Sequence, residues 1–214
     1  MGSWRPVCLR VFLCAASAGL AVAPARAADI YVAAGTNLQT AIDAAQPGDR
    51  LLLAPGATFT GNFRLPNKGA ATTYITIRSA AADTLLPIAG VRLTPADAPN
   101  LPVLRSPNTA SALTTAAGAH HWRLQYLEFR ANSRGFGDIL ALGASTQTLL
   151  TQVPHHLVLD HLYIHGDPAL GQKRGIALHS GATWITDSYI ADMKGVGLDT
   201  QAINGFNGPG HGCP

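Results

Sequence analysis

Short apolar runs separated by polar or glycine-containing segments dominate the chain after about residue 28. Leu51-Leu52-Leu53 is a compact apolar run between turn-forming residues, as expected for a buried strand. In Tyr74–Arg78, Ile75 and Ile77 alternate with polar positions, the two-residue period of a strand with one buried face. This pattern predicts a protein built largely from short β-strands.

One segment departs from this pattern. Leu38, Ile42 and Ala45 recur at helical spacing. Thr36 or Asn37 can cap the first turn, since a short polar side chain accepts from free backbone N–H groups there, and Pro47-Gly48 ends the segment. The sequence predicts a helix at about residues 37–45.

Three later segments resemble one another. They are Leu124–Phe129, Leu159–Ile164 and Ile185–Ile190, offset by 35 and 26 residues. Each precedes a second strand candidate: Asp138–Leu142, Gly175–His179 and Val196–Leu198. Repeated short strands predict a solenoid in which like residues stack between neighbouring repeats. A β-sandwich is the alternative, but the similar offsets and the lack of simple hairpin turns favour the solenoid.

The segment Leu38–Gly56 resembles the capping helix and first strand of pectate-lyase-like right-handed parallel β-helix proteins. Thr73–Arg78 resembles the next strand of that superfamily, especially in its alginate-lyase and chondroitinase-B-like branch. The resemblance spans about residues 29–207. It implies an all-β fold, a right-handed parallel β-helix whose helix covers the first coil. It leaves the reaction open, because the superfamily includes lyases, glycoside hydrolases, epimerases, esterases and non-catalytic surface proteins.

The pattern of residues 1–27 predicts a signal peptide. Arg5 and Arg10 precede the apolar residues 11–22, and Ala25-Arg26-Ala27 is a small-x-small cleavage pattern. We therefore expect a β-helix domain over residues 28–207 in a secreted or periplasmic protein, with no membrane attachment after cleavage. Residues 208–214 read as an irregular tail and suggest a truncated chain.

Charge and cysteine content limit the binding partners and the disulfides that are expected for this chain. The chain has 15 Lys and Arg against 12 Asp and Glu, and three of the arginines lie in the predicted leader. The mature chain is therefore balanced in charge and has no basic stripe, so no nucleic-acid partner is expected. Only Cys213 remains after cleavage, which excludes an intrachain disulfide in the mature chain. An acidic polysaccharide is the partner that the resemblance implies.

The resemblance also implies the chemistry of a lyase. Elimination needs a base and a cation, often Ca²⁺, that neutralises the uronate carboxylate. The candidate catalytic residues are Lys173, Arg174, His179 and Lys194. The candidate substrate-binding residues are Trp184, Asp199 and Gln201. An ordinary solvated surface at the ends of solenoid strands is the alternative interpretation.

Two further groups could bind metal. Asp187 and Asp192 are candidate Ca²⁺ ligands, although corner aspartates more commonly accept from local backbone N–H groups. His120-His121 and His155-His156 each precede an aligned strand, so four histidines could stack at one corner and bind zinc or copper. Adjacent residues of a regular strand point to opposite faces, however, so we expect neither pair to chelate one ion.

The sequence thus predicts a secreted β-helix protein that binds or cleaves an acidic polysaccharide. If it is an enzyme, the resemblance implies a polysaccharide lyase or a glycoside hydrolase. A non-catalytic surface or adhesion module is the alternative, as is an inactive fragment of either.

Overall fold

The computed structural model describes residues 1–2, 27–195 and 197–205. Most of the predicted signal peptide, and the tail 208–214, lie outside these residues. The described part contains one α-helix, α1 (Leu38–Ala44), and three short 3₁₀ helices at Asp83–Leu85, Pro95–Asn100 and Leu150–Gln152. Its strands are β1 (Asp29–Val32), β2 (Arg50–Leu53), β3 (Thr58–Thr60), β4 (Phe63–Leu65), β5 (Ile75–Ser79), β6 (Val103–Arg105), β7 (Leu113–Thr115), β8 (His120–Arg130), β9 (Asp138–Leu142), β10 (His155–His165), β11 (Arg174–Leu178), β12 (Gly181–Thr186), β13 (Tyr189–Ala191) and β14 (Gln201–Asn204).

The strands form three rows, and every pairing between them is parallel. Row 1 runs β1-β2-β5-β8-β10-β12, and row 3 runs β4-β7-β9-β11-β14. Row 2 runs β3-β6-β8-β10-β13, because the long strands β8 and β10 belong to rows 1 and 2 at once. Five successive repeats, beginning at β2, β5, β8, β10 and β12, each contribute a strand to every row. A sandwich of antiparallel strands is therefore wrong for the described strands.

The register agrees with the predicted repeat alignment. Leu159 lies opposite Leu124 on one side and Ile185 on the other. Ile164 likewise lies opposite Ile190. The strand predicted at Val196–Leu198 is wrong: the repeat's third strand is Gln201–Asn204, and Leu198 lies in the bend before it, while Val196 is outside the described residues.

The repeats are kinked at two equivalent sites. His121, His156 and Ala182 have φ values of 56°, 51° and 44° at the start of row 1, and Tyr126, His161 and Asp187 have 53°, 52° and 46° between rows 1 and 2. A non-glycine residue in this left-handed region costs about 1–2 kcal/mol, so the surrounding packing has to hold each corner. The second of these sites is the corner that separates the strands of row 1 from those of row 2.

The core lies between the rows and is built from residues stacked in register. Leu51, Ile77, Leu124 and Leu159 are paired successively across row 1, and all are buried. Helix α1 packs on the same core through Leu38 and Ile42, and Asn37 Oδ1 accepts from the backbone amides of Gln39 and Thr40. The predicted capping residue and helix are confirmed, with the helix at Leu38–Ala44.

Residues 80–102, here called the strap, lie across the outside of the corner between rows 1 and 2. Leu86, Leu93 and Leu101 form a second apolar cluster with Tyr126 of that corner. The Tyr126 hydroxyl donates to the carbonyl of Pro87 at 2.8 Å. The sequence made no prediction for this segment. The strap adds a layer over three of the repeats.

Candidate functional site

A polar cluster lies on the outer side of row 2. Glu128 of β8 is in register with Tyr163 of β10, and Arg130 is in register with His165. Alternate residues of a strand point to opposite sides, and the intervening Phe129 is fully buried in the core. We call Glu128, Arg130, Tyr163 and His165 the row 2 cluster.

Glu128 holds the cluster together. Its Oε1 accepts from Arg130 Nε at 2.6 Å and from His165 Nε2 at 2.9 Å, and its side chain is only 3% exposed. Burial by itself raises the pKa of Glu128. The hydrogen bonds from His165 and Arg130, with the positive charges of both, outweigh burial and lower that pKa. Glu128 is therefore an ionised carboxylate at neutral pH.

Both ring nitrogens of His165 face oxygen atoms. Its Nδ1 lies 2.9 Å from the carbonyl oxygen of Gly166, and its Nε2 lies 2.9 Å from Oε1 of Glu128. These two contacts fix the orientation of the imidazole. The ring of Tyr163 stacks on it with centroids 4.3 Å apart and planes 21° from parallel. Burial, with the charge of nearby Glu128, raises the pKa of the Tyr163 hydroxyl, which keeps it protonated.

An open cavity of about 400 Å³ adjoins the cluster. Its polar lining residues are Arg105, Arg130, Asn132, Ser133, His165 and Asp167. Arg105 is exposed at the end of β6, next to Leu104, which pairs with Phe129. Arg105, Arg130 and His165 thus follow one another on neighbouring strands, which lie about 4.8 Å apart.

This line of two arginines and a histidine suits a ligand with several carboxylates. A guanidinium group binds a carboxylate through two parallel N–H donors, and an imidazole N–H is a further hydrogen-bond donor. Glu128 neutralises part of the charge and fixes the orientation of Arg130 and His165. Asp167 lies at the rim of the cavity, where its Oδ1 accepts from the amides of Ala169 and Leu170 at 2.8 Å. These hydrogen bonds lower the pKa of its carboxyl group.

A second group of ionisable side chains lies under the strap. Asp160, His161 and Asp187 bring their polar atoms within 4.8 Å of one another. His161 Nδ1 faces Asp160 Oδ1 at 2.6 Å, and His161 Nε2 faces the carbonyl oxygen of Val91 at 3.0 Å. Both ring nitrogens are thus engaged with oxygen atoms of the fold. These contacts join the strap to the corner beneath it.

The predicted catalytic residues are distributed over two regions. Lys173, Arg174 and His179 lie in or beside β11 of row 3, where Arg174 is in register with Gln201 and donates from Nε to Asp138 at 2.6 Å. His179 is buried at 6% exposure. Lys194 lies between β13 and β14, and its Nζ donates to the carbonyl of Pro168 at 2.5 Å. The structure brings Arg174 and Gln201 together and places Lys194 beside Pro168 and Gly171, in the segment before β11.

The residues predicted to bind substrate or Ca²⁺ also lie in different parts of the structure. Trp184 is half exposed on row 1, and Asp199 accepts from Gln201 Nε2 at 3.4 Å. Asp187 Oδ2 accepts from the amide of Gly90, whereas Asp192 lies 3.6 Å from Lys194 Nζ. The two aspartates predicted to bind Ca²⁺ therefore have different partners.

The two histidine pairs stack at one corner as predicted, but the expectation that the members of each pair point to opposite faces is wrong. His121 and His156 adopt positive φ, so neither pair lies in a regular strand, and the two side chains of each pair meet instead of pointing to opposite faces. The row 2 cluster was also missed. Its signal was the two-residue alternation of polar and apolar positions in Leu127–Arg130 and Leu162–His165, together with Glu128 as the single glutamate of the chain.

Comparison with known proteins gives one informative match. No family model matches the chain, and no curated protein matches it. Among solved structures, an alginate lyase from Paenibacillus sp. str. FPU-7 superimposes with a TM-score of 0.53 at 25% sequence identity. The match covers 75% of this chain and 44% of the lyase, so the chain corresponds to less than half of that protein's length. Among the described residues, no helix has the length and hydropathy needed to cross a bilayer.

Proposed function

We propose that this protein is an exported right-handed parallel β-helix that binds an acidic polysaccharide along row 2. The observation that carries the proposal is the line of Arg105, Arg130 and His165 beside an open cavity. Uronate polymers present one carboxylate per sugar, and such a series of negative charges matches cationic groups repeated from strand to strand. The likeness to an alginate lyase supports the same class of ligand.

The right-handed β-helix is the arrangement that best joins the three parallel rows. Each repeat passes through rows 1, 2 and 3 in the same order before the next repeat begins, as in a solenoid. Crossovers between parallel strands are almost always right-handed. The parallel rows and the alginate lyase likeness both support this assignment.

Cleavage by β-elimination is a second candidate function. It is favoured by one observation besides the comparison: Tyr163 is stacked on His165 beside the cationic line, so a phenol and a carboxylate-binding group lie at one place. In a lyase, the cations would neutralise the uronate carboxylate while a second group removed the neighbouring proton. The raised pKa of Tyr163 suits it to donate a proton to the leaving oxygen. Ca²⁺ remains a predicted cofactor of such a reaction.

The decisive experiment measures polymer binding and product formation on the mature chain beginning at Ala28. Alginate, pectate and chondroitin sulfate are the ligands, and dextran is the uncharged control, each with and without Ca²⁺. We expect an acidic polymer to bind with an affinity that falls as salt rises, because exposed charges are screened. Absorbance from an unsaturated uronate product would establish the lyase. Equal binding of dextran, or no binding of any acidic polymer, would overturn the proposal.

Two arginine variants locate the site. Arg105→Gln removes an exposed cation from the proposed line, whereas Arg64→Gln removes an exposed cation from β4 of row 3. We expect Arg105→Gln to weaken binding by roughly threefold to fivefold, the scale of one solvent-exposed charge pair, and Arg64→Gln to leave it unchanged. The opposite ranking would place the ligand on row 3.

Export is tested separately. The full chain, expressed in a Gram-negative host, should appear in the periplasm or medium with Ala28 as its first residue, as N-terminal sequencing would show. An exported protein that still carried residues 1–27 would contradict this part of the proposal.

A further inference from the structure

Four histidines form a compact group at the first corner of two neighbouring repeats. His120 stacks on His155 with centroids 4.8 Å apart and planes 5° from parallel. His121 stacks on His156 with centroids 4.9 Å apart and planes 3° from parallel. We call these four residues the histidine quartet. It lies on row 1 and takes no part in the row 2 cluster.

Within each repeat, the two rings turn their Nδ1 atoms toward each other. The Nδ1 atoms of His120 and His121 are 2.7 Å apart, and those of His155 and His156 are 2.6 Å apart. The left-handed conformation of His121 and His156 produces this convergence, since it brings two consecutive side chains to one side of the chain. Two pairs of ring nitrogens therefore converge in adjacent repeats.

A backbone contact determines which nitrogen of His120 is available. His120 Nε2 lies 2.7 Å from the carbonyl oxygen of Gly69, which can only accept, so the proton of the neutral ring is on Nε2. The lone pair is then on Nδ1, which faces His121. Donation of the other ring N–H to a backbone carbonyl is the usual arrangement that orients a metal-binding histidine.

The quartet differs from the other described histidines in its partners. Among the described residues, its ring nitrogens face one another and the Gly69 carbonyl, with no carboxylate in hydrogen-bond contact. His161 and His165, by contrast, face the carboxylates of Asp160 and Glu128.

We propose that the histidine quartet binds a divalent transition-metal ion through converging Nδ1 atoms. Imidazole ligands suit Zn²⁺, Ni²⁺ and Cu²⁺, whereas Ca²⁺ and Mg²⁺ prefer oxygen ligands. Zinc–imidazole bonds are about 2.0–2.1 Å long, so the rings have to rotate modestly to take up an ion. The quartet joins repeats that begin at β8 and β10, and an ion there would couple them.

Trp184 provides a reporter for binding. Its ring lies 6.4 Å from that of His156 at the next repeat, and it is half exposed. A bound Cu²⁺ or Ni²⁺ ion quenches the fluorescence of an indole at such short range, and Trp184→Phe would identify the contribution of this side chain.

The test uses the mature chain, purified without an oligohistidine tag and treated with chelator. Calorimetry and tryptophan fluorescence would follow titration with Cu²⁺, Ni²⁺, Zn²⁺ and, as control, Ca²⁺. We expect saturable binding of the transition metals, quenching by Cu²⁺, and a higher unfolding temperature with metal. His121→Gln/His156→Gln should weaken binding on the order of a hundredfold or more, at or above the upper end of the roughly 10–100-fold effect of changing an outer partner of a ligand.

Two controls keep the result interpretable. His211→Gln removes a histidine to which no role is assigned and should bind metal as the original protein does. His156→Gln alone changes an exposed ring, so circular dichroism and thermal unfolding should stay native while metal affinity falls. Absence of saturable binding by the unmodified chain, or equal metal affinity in the quartet variants and in His211→Gln, would overturn the proposal. Neither result would bear on polymer binding at row 2.

Discussion

The carboxylate of Asp187 accepts a hydrogen bond from the backbone amide of Gly90, which lies 97 residues earlier in the chain, at a distance of 2.9 Å. Asp187 also lies 3.8 Å from Nε2 of the buried His161. One corner residue thereby contacts both the strap and the polar group beneath it. The strap is also attached through its apolar cluster with Tyr126, so polar and apolar contacts act together there.

Replacing this carboxylate should loosen the strap. We expect Asp187→Ala to lower the free energy of unfolding by about 1–3 kcal/mol, because the amide of Gly90 loses its acceptor. Asp187→Asn should cost less, since asparagine keeps an acceptor and tolerates the left-handed backbone. Urea unfolding and limited proteolysis within residues 80–102 measure both effects.

The matched control is Asp43→Asn on α1, where the carboxylate accepts from the neighbouring Gln39. This variant should unfold like the original protein. If Asp187→Ala were as stable and as protease-resistant as Asp43→Asn, the strap would be held by its apolar contacts alone.

The stacked core of row 1 predicts a second effect. Leu124 is buried at 1% exposure between Ile77 and Leu159, whereas Leu150 is 77% exposed. We expect Leu124→Ala to cost about 2–5 kcal/mol, from lost burial and the cavity left behind. Leu150→Ala should change stability by less than about 0.5 kcal/mol. Equal losses in denaturant unfolding would contradict the assignment of Leu124 to the core.

The dependence of stability on pH follows from the lowered pKa values of His121 and His155. The unfolded chain binds protons on these rings near the usual histidine pKa of about 6.5, before the folded chain does. The free energy of unfolding should therefore fall as pH decreases through about 6.5 and below. Both rings are substantially solvent-accessible, so only the direction is predicted.

The variant His121→Gln/His155→Gln isolates this contribution. Unfolding in urea, with chelator present, should show a smaller loss of stability between pH 8 and pH 5 in the variant than in the original protein. A difference between the two proteins that stays constant over this range would refute the assignment.

A further loss of stability in acid is expected from Glu128. Because the pKa of Glu128 is lowered in the folded protein, this residue contributes fully to stability above the unfolded glutamate pKa of about 4.3. That contribution to stability is lost as pH falls below this value. Glu128→Gln should remove this dependence and lower stability at neutral pH by about 1–3 kcal/mol, because Arg130 and His165 lose a charged partner. Arg64→Gln is the control. An unchanged acid profile in Glu128→Gln would contradict the ion-paired geometry.

Trp184 distinguishes between two surfaces for the polymer. The sequence predicts this exposed ring as a sugar contact, but it lies on row 1, away from the cationic line of row 2. If the polymer occupies row 2 as proposed, Trp184→Ala should bind acidic polysaccharide with unchanged affinity and fold normally. A loss of affinity with native stability, measured by calorimetry and circular dichroism, would move the ligand to row 1.

The sequence was sufficient to align the repeats. The alternation of apolar and polar residues places Leu124, Leu159 and Ile185 at equivalent positions, because a shift by one residue would turn the apolar side outward. In the same register, Trp122 is buried and Trp184 is half exposed. Local alternation and capping chemistry carry this information in the chain itself.

The corners and the site were less predictable. Left-handed conformations at His121 and His156 have no marker in the sequence, since neither residue is glycine. The geometry of the histidine pairs could not be inferred without them. The association of Glu128 with His165 depends on a register across 37 residues and on outward-facing side chains, which single strands do not specify.

The repeats keep the same corners while their connecting loops differ in length, which has a consequence for how such a chain can evolve. The repeats beginning at β8 and β10 have the same strand and corner positions, yet residues 143–154 separate β9 from β10, whereas only residues 179–180 separate β11 from β12. Insertions and deletions at this junction leave the stacked core and its register intact. Surface loops over row 3 are therefore free to diversify in length, and new ligand preferences can arise there without cost to folding.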